Sequence, residues 1–206
     1  MPARRAFLAD PVLEVAPRLL GMVLRSTTAD GTVAVRLTEV EAYDGPSDPG
    51  SHAYRGETAR NAVMFGPPGH LYVYFTYGMH FCMNISAGPD GRPSAVLLRA
   101  GEILEGVDLA RTRRHPTNGK RTTDRDLARG PARMCVALGI DREANGANLL
   151  ARTSPIQLLP GPGFDGEPST GPRVGLREAA DRPWRFWIPN DPTVSPYRPH
   201  VPKRRS

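Results

Sequence analysis

Glycine and proline occur so often along this chain that they limit the length of any helix or strand it can form. The 206 residues include 21 glycines and 22 prolines. Glycine destabilises the interior of a helix, and proline ends helices because it lacks an amide hydrogen and clashes with the preceding turn. The combined content is still just below the level typical of disordered segments. We therefore expect a globular fold of short helices and strands joined by many loops.

Five apolar runs predict β-strands. They lie at residues 22–26, 33–43, 71–77, 80–85 and 95–100. The Asp30-Gly31 pair between the first two runs is a strong hairpin signal. Helical patterns are confined to residues 11–20 and 131–139, and residues 155–172 are expected to form a loop. Strands that follow one another without intervening helices predict a mainly antiparallel sheet with flanking helices, which is an α+β fold.

The distribution of these elements predicts one domain. Residues 1–190 contain all of the predicted strands and helices, whereas residues 191–206 are basic and rich in proline. We expect a single compact domain over residues 1–190, followed by a C-terminal tail over residues 191–206.

Cysteine usage and hydropathy indicate a cytoplasmic protein. Cys82 and Cys135 are the only cysteines, which is too few for a disulfide framework. Neither they nor the histidines show the spacing of metal ligands, so no metal and no cofactor is predicted. No run of 18 apolar residues predicts a membrane span, and the N-terminus lacks the apolar core of a signal peptide.

Positive charge is concentrated in one segment. The chain has 27 basic and 21 acidic residues, and residues 111–133 alone contain eight basic and two acidic ones. An anionic polymer is a natural partner for such a segment. A solvated basic loop without a partner explains the charge equally well. The candidate phosphate contacts here are Arg113, Arg114, Lys120 and Arg121.

Two carboxylates end the second predicted strand. In a regular strand, one face would present Val33, Val35, Leu37, Glu39, Glu41 and Tyr43. One interpretation is that the strand leaves the core here and both glutamates are hydrated. The other is that the two carboxylates, about 6–7 Å apart, form an acid–base pair with the spacing found in inverting glycoside hydrolases. One of them could then activate a water molecule.

Aromatic residues are concentrated in the third predicted strand. Tyr72 and Tyr74 lie on one face of the strand, and Phe75 and Tyr77 lie on the other. The two sets cannot both fill one core. Packing beneath helices is the ordinary explanation for such residues, but tyrosines also form platforms on which nucleobases stack.

Tyr77-Gly78-Met79 lies between two predicted strands and is expected to form the tip of a protruding hairpin. Solvent favours polar side chains at such a tip. Large side chains there are suited to insertion between the bases of a duplex.

A series of ordered motifs begins at residue 38. The segments are 38–43, 45–46, His52, 60–61, 64–65, 68–74, 77–85 and 96–100, with sparser matches at 130–131, 138–140, 173–175 and 184–186. In order and spacing, these motifs resemble the alkyladenine (3-methyladenine) DNA glycosylase family. The dense similarity spans residues 38–106, and the sparse part extends to about residue 190.

The resemblance implies a compact α+β domain built around a curved antiparallel sheet. It also implies an enzyme that flips a damaged purine nucleotide out of duplex DNA and hydrolyses its N-glycosidic bond. Glu41 matches the general base that deprotonates the attacking water. Arg99 and the backbone carbonyl of Val174 match groups that hold this water.

The same correspondence assigns substrate-binding residues. Tyr43 and Tyr74 match the aromatic side chains on either side of the flipped base, and His52 matches the residue that stacks or hydrogen-bonds beside it. Asn84 matches a residue that obstructs the exocyclic amino group of normal guanine.

The DNA-binding assignments follow from the hairpin and its neighbouring motif. Tyr77 matches the side chain that fills the vacated position in the base stack, with Met79 beside it. Arg60, from the motif at residues 60–61, is grouped with them as a DNA contact. The expected partner is double-stranded DNA containing damaged purines, alkylated and also deaminated, bound by a monomer at the nucleoid.

Two other functions remain consistent with the residues. One is a non-catalytic module that binds damaged nucleic acid, and the other is a small glycoside hydrolase that uses Glu39 and Glu41. A lyase-type glycosylase would need an amine nucleophile. Since Lys120 and Lys203 are far in sequence from the aromatic residues, water is predicted as the nucleophile.

Overall fold

A single antiparallel sheet organises the part of the chain that the computed structural model describes, residues 5–76, 78–89, 91–115 and 122–201. Its strands are β1 (Val23–Thr28), β2 (Gly31–Tyr43), β3 (Leu71–Thr76), β4 (His80–Ala87), β5 (Ser94–Glu105), β6 (Ile156–Leu159), β7 (Ser169–Gly171) and β8 (Arg185–Trp187). The helices are α1 (Arg5–Leu8), α2 (Val12–Arg18), α3 (Ala62–Phe65), α4 (Val107–Arg113) and α5 (Pro131–Leu138). This content confirms the predicted α+β class.

Strand β2 lies at the centre of the sheet. The order is β3-β4-β5-β2-β1-β6, with β7 and β8 off this path. One edge of β2 pairs with β5, while the other edge is shared by β1 along its first half and by β8 at Glu39–Glu41. Long antiparallel strands twist strongly, and the sheet curls into a half-barrel, as predicted. Residues 39–41 are therefore enclosed by strands on both sides.

Strand β2 is irregular just before its two carboxylates. Its pairing with β5 shifts register between Leu37 and Glu39 and again between Glu39 and Val40. The residues of β2 in the main hydrophobic core are Val33, Val35, Leu37, Val40 and Ala42. Odd-numbered residues thus face the core before the irregularity and even-numbered ones after it, as expected for a bulge. The prediction that Leu37 shares a face with Glu39 and Glu41 is therefore wrong.

The main core lies between the sheet and helices α2 and α5, and a smaller cluster lies on the opposite face. The smaller cluster consists of Ala53, Met64, Tyr72 and Ala95. Because side chains alternate along β3, Tyr72 belongs to this cluster while Leu71 and Val73 belong to the main core. No helix within the described ranges is long and apolar enough to cross a membrane.

Two local predictions need correction. Residues 155–172 are not entirely loop, because they contain β6 and β7. Ile156 and Leu158 of β6 are buried where it pairs with β1, and this packing offsets the surrounding prolines. Helix α2 begins at Val12, one residue later than predicted. Asp10 does not cap it and instead pairs with Arg18 at 2.6 Å.

Residues at the start of the predicted C-terminal tail contact strand β2. The carboxylate of Asp191 pairs with Arg36 at 2.7 Å. The hydroxyl groups of Thr193 and Thr38 are hydrogen-bonded at 2.7 Å, and both residues are buried. This segment is therefore packed against the sheet through at least residue 193.

The turn after β2 generates a stability prediction. Gly45 has φ +53°, and a Cβ there would collide with the carbonyl oxygen of Pro93. Gly45→Ala should lower the free energy of unfolding by about 3 kcal/mol or more, because backbone strain and steric clash add. Gly146→Ala is the matched control, since Gly146 has φ +85° but a Cβ there would meet nothing within 4 Å. Gly146→Ala should lower the free energy of unfolding by only about 1 kcal/mol, as measured by urea unfolding. Equal losses in the two variants would contradict the contribution of the Pro93 contact.

Candidate active site

A cavity of about 370 Å³ opens on the face of the sheet opposite the main core. Its volume is typical of sites for small organic molecules. The lining residues are Tyr43, Gly50, His52, Arg60, Met64, Tyr72, Tyr74, Thr76, Cys82, Asn84, Ala95, Leu97, Arg99, Pro131, Val174, Gly175 and Leu176. The fold thus brings together the residues that the sequence predicted for base binding with two of the three that it predicted for catalysis.

Four aromatic rings from three segments of the chain flank this cavity. The ring centroids of His52 and Tyr74 are 4.6 Å apart in an edge-on arrangement, and those of Tyr72 and Tyr74 are 5.6 Å apart. Nδ1 of His52 is 2.9 Å from the hydroxyl oxygen of Tyr72. Tyr43 completes the lining from the end of β2. The aromatic residues on this face of β3 therefore line a cavity, as the stacking interpretation requires.

Glu41 lies next to the cavity in a fully buried position. Its Oε1 accepts a hydrogen bond from the backbone N–H of Val174 at 2.7 Å, and Nη1 of Arg99 is 3.3 Å from the same oxygen. Its Oε2 accepts a hydrogen bond from the hydroxyl of Tyr43 at 2.8 Å. The interpretation that the glutamates of β2 are hydrated is wrong, because Glu39 is fully buried as well.

The contact from Val174 differs from the one expected. The resemblance assigned its backbone carbonyl to the attacking water, whereas the contact with Glu41 is made by its backbone amide. An amide donor stabilises the charged form of a carboxylate. The position of Val174 beside both Glu41 and the cavity agrees with the expectation, and a role for its carbonyl stays a prediction.

Glu39 is held by two arginines and does not line the cavity. Its Oε1 accepts hydrogen bonds from Nε of Arg99 at 2.8 Å and from Nε of Arg185 at 2.7 Å. Ser195 supplies two more donors, its hydroxyl to Oε1 and its amide to Oε2. A carboxylate with this many donors is fixed in place and has no access to a substrate. The geometry therefore excludes the glycoside hydrolase alternative, which needs Glu39 as an acid.

Burial changes the proton affinities around the cavity. Burial and the charge of Glu41 raise the pKa of Tyr43 well above its ordinary value, so at neutral pH its hydroxyl is protonated and donates to Glu41. Burial likewise raises the pKa of Tyr74. For Arg99, burial alone would lower the pKa, but Glu41 and Glu39 outweigh it and the pKa is raised. Arg99 is therefore a permanent cation beside the cavity.

Arg173 and Asp48 support Tyr43 from outside the cavity, a role that sequence reasoning missed. Arg173 is almost completely buried, and its Nη2 is 2.8 Å from Oδ1 of Asp48. Its guanidinium carbon lies 4.5 Å from the ring centroid of Tyr43, and Nη1 donates to the carbonyl of Ala42. Arg173 belongs to the matching segment 173–175, but the sequence shows no partner for it. The ring of Tyr43 is therefore fixed by a buried ion pair.

Asn84 lines the cavity from β4, opposite Tyr72. It is buried, and its side-chain amide nitrogen donates to the backbone carbonyl of Tyr72 at 3.2 Å. This bond restricts the rotation of the side chain. Asn84 is thus positioned to restrict the shape of a base in the cavity, although its effect on guanine stays a prediction.

The predicted DNA-contacting side chains differ in their placement. Met79 follows the tip between β3 and β4 and is 69% exposed. Arg60 is exposed at the cavity, with its guanidinium carbon 5.3 Å from the ring centroid of Tyr74. Three predicted contacts, Tyr77, Lys120 and Arg121, lie outside the described residues.

Arg113 and Arg114 are engaged within the domain. Nη2 of Arg113 donates to Oγ1 of Thr28 at 2.6 Å, and Nη1 donates to the carbonyl of Ala137. Nε of Arg114 donates to the carbonyl of Leu127. Thr28 lies at the hairpin where β2 begins, about 40 Å from Tyr43 along an extended strand of this length. Arg113 is therefore turned inward at the end of β2 away from the cavity, and DNA contacts by Arg113 and Arg114 stay a prediction.

The described residues hold no group of three or more histidine, cysteine or acidic side chains arranged to bind a metal ion. The cavity thus offers a buried carboxylate, a fixed cation and aromatic surfaces. Such a set is suited to general-base chemistry on a flat, aromatic substrate.

The environment of His52 generates a prediction about its ionisation. Although His52 as a whole is exposed, desolvation of its imidazole beside Tyr72 and Tyr74, and then the charge of Arg60, lower the pKa of His52 to about 4. The imidazole of His52 is protonated near pH 6.5 in the unfolded chain but only near pH 4 in the folded one. His52 therefore lowers the free energy of unfolding as the pH falls from 6.5 towards 4.

Arg60→Ala should raise the pKa of His52 part of the way towards 6.5, as followed by NMR of the imidazole carbons. Arg55→Ala, an exposed charge change in the same loop, is the control. An unchanged pKa in Arg60→Ala would show that the charge of Arg60 does not act on His52.

Comparison with known proteins agrees with this geometry. The family model for methylpurine-DNA glycosylase matches residues 6–192. Proteins named "Putative 3-methyladenine DNA glycosylase" are similar over most of their length. That of Streptomyces avermitilis is 60% identical, covering 99% of this chain and 95% of the relative. The relative from Leifsonia xyli is 57% identical (97% and 93%), and that from Nocardia farcinica is 54% identical (89% and 85%). The chain belongs to the methylpurine-DNA glycosylase family and is a hydrolase that acts on DNA.

Proposed function

We propose that this protein flips an alkylated purine nucleotide out of duplex DNA and hydrolyses its N-glycosidic bond with a water molecule that Glu41 activates. The observation on which this depends is the position of Glu41. Its carboxylate is buried beside the cavity, between two groups that line it, Arg99 and Val174. A general base must be within reach of the water in the pocket that holds the scissile bond.

The aromatic lining supports a purine as the reacting group. A flat base placed between Tyr43 and Tyr74 buries both of its faces. A purine alkylated at N3 or N7 is positively charged, and such a charge over a tyrosine ring is worth about 0.5–2 kcal/mol. Normal purines are neutral, so they do not gain this attraction to the tyrosine rings. Deaminated purines fit the same slot through stacking alone, and we propose them as secondary substrates.

The chemistry needs one base and no external cofactor. Glu41 takes a proton from water, the resulting hydroxide forms a bond to C1′ of the sugar, and the C1′–N bond breaks. Both electrons of that bond go to the purine. The alkylated base leaves as a neutral molecule, so little acid catalysis is required. The described cavity lining contains no lysine, which supports water as the nucleophile and a monofunctional reaction.

Flipping requires a replacement in the base stack. We propose that Tyr77, which lies in the sequence between β3 and β4, fills the vacated position and that Met79 supports it. The exposure of Met79 just before β4 supports this proposal. Extruding a base costs a few kcal/mol, and least for a damaged one. One cavity and one duplex need no second subunit, so a monomer acting on the nucleoid in the cytoplasm is proposed.

Glu41→Gln tests the proposed base. The amide keeps the shape of the side chain but cannot accept the proton of water, so the release of methylpurines from methylated duplex DNA should fall at least about 100-fold. Affinity for the damaged duplex should stay within about threefold of that of the unmodified protein. Glu105→Gln is the control, because it makes the same charge change at an exposed position of β5.

Other outcomes of this experiment distinguish the alternatives. Normal base release by Glu41→Gln would eliminate Glu41 as the base. Absence of release from the unmodified protein as well, with retained affinity for damaged DNA, would identify a non-catalytic binding module.

Tyr77→Ala tests the replacement of the flipped base. With no side chain to fill the stack, the fraction of extruded base should fall about tenfold or more, since base–aromatic stacking is worth about 1–3 kcal/mol. A fluorescent base analogue next to the lesion reports extrusion. Tyr197→Ala, which removes an exposed tyrosine near the C-terminus, is the control. Unchanged fluorescence in Tyr77→Ala would refute the assignment of Tyr77.

A further inference from the structure

Four charged side chains form one buried cluster behind the cavity. They are Glu39, Glu41, Arg99 and Arg185, which together have no net charge, and none is more than 6% exposed. Arg99 contacts both carboxylates, through Nε to Glu39 and through Nη1 to Glu41. A single guanidinium group thus joins the proposed base to a second carboxylate that does not line the cavity.

Ser195 closes this cluster from the C-terminal segment. Its hydroxyl donates to Oε1 of Glu39 at 2.9 Å and lies 3.3 Å from Nη2 of Arg99. Its backbone amide donates to Oε2 of Glu39 at 2.6 Å, and its carbonyl accepts from Nη2 of Arg185 at 2.7 Å. Ser195 is buried, although it lies beyond residue 192, where the match to the family model ends.

We propose that Glu39, Arg185 and Ser195 form a positioning group that orients Arg99 towards Glu41. This role rests on the proposed function, because the group acts on the reaction only through the carboxylate of Glu41. None of the three residues lines the cavity.

The planarity of guanidinium provides the physical reason. The five N–H donors of an arginine are fixed in one plane. When Glu39 holds Nε and Ser195 holds Nη2, the direction of Nη1 follows, and Nη1 is the atom that faces Glu41. Arg185 in turn holds Glu39 through a second hydrogen bond to the same oxygen. A base whose ion-pair partner rotates freely would lose its orientation towards the water.

The cluster also balances charge around Glu41. The titratable and charged groups on the elements packed around it are Arg99 on β5, Arg185 on β8, Tyr43 on β2, Tyr74 on β3, Cys82 on β4 and Arg173 beside Val174. Glu39 is the only other carboxylate that shares Arg99 among the described residues. Removing its charge would leave Arg99 and Arg185 facing the single carboxylate of Glu41, so the cluster would carry a net positive charge.

Ser195→Ala and Thr193→Val test the positioning role as a matched pair. Each removes one buried hydroxyl from the same segment, but that of Thr193 contacts Thr38 and Asp191 rather than the cluster. With methylated duplex DNA under single-turnover conditions, Ser195→Ala should lower the maximal rate about tenfold, in line with a lost hydrogen bond to a charged group. The dissociation constant for DNA should not change. Thr193→Val should keep the rate of the unmodified protein, even where thermal unfolding shows an equal loss of stability.

Glu39→Gln tests the same role at the carboxylate that holds Arg99. Its maximal single-turnover rate should fall about tenfold while the dissociation constant for DNA stays unchanged, because a neutral amide holds Nε of Arg99 more weakly than a carboxylate does. A normal rate in Ser195→Ala or in Glu39→Gln, or an equal loss in Thr193→Val, would overturn the positioning role. The activity of Glu41→Gln distinguishes failure of the positioning role from failure of the proposed function. If Glu41→Gln is inactive while Ser195→Ala is normal, only the positioning role fails, whereas an active Glu41→Gln removes the base itself.

Discussion

The irregular pairing between β2 and β5 determines where the carboxylates of this protein can act. In a regular strand, Glu39 and Glu41 would point to the same side as Leu37, into the apolar core. The register shifts at residues 37–40 reverse this parity, so that Val40 and Ala42 continue the core while the glutamates face the other side. Bulges of this kind often redirect side chains next to active sites. Here the bulge allows one strand to stabilise the fold and to present a buried base.

Burying these charges requires that each one has a partner. Transfer of a single carboxylate into a protein interior costs several kcal/mol, and only close pairing and full hydrogen bonding offset it. Glu39 and Glu41 share Arg99, Arg185 adds a second cation, and Arg173 pairs with Asp48 behind Tyr43. Removing any one partner leaves an uncompensated charge. The site and the stability of the domain therefore depend on the same contacts.

Many residues of the site could be predicted from the sequence, but the success of each prediction depended on the local regularity of the chain. Alternation along a strand correctly separated Tyr72 and Tyr74 from Phe75, because β3 is regular. The same rule failed for β2, since a bulge has no reliable signature in a single sequence. The count of charges in the basic segment does not reveal that Arg113 and Arg114 also donate to hydroxyl and carbonyl groups of the domain, and their DNA contacts stay a prediction. Ser195 was missed because it lies in a proline-rich segment with no periodic pattern.

The sequence by itself determined the fold class, the identity of the aromatic and acidic residues and, through ordered motifs, the family. These properties follow from local patterns and from residue types in a fixed order. Only the tertiary structure decided which face of β2 holds Glu41, which cations neutralise it and which residues from the C-terminal segment complete the cluster. Those contacts join positions up to 156 residues apart, as between Glu39 and Ser195, and depend on strand register, which a single sequence does not specify.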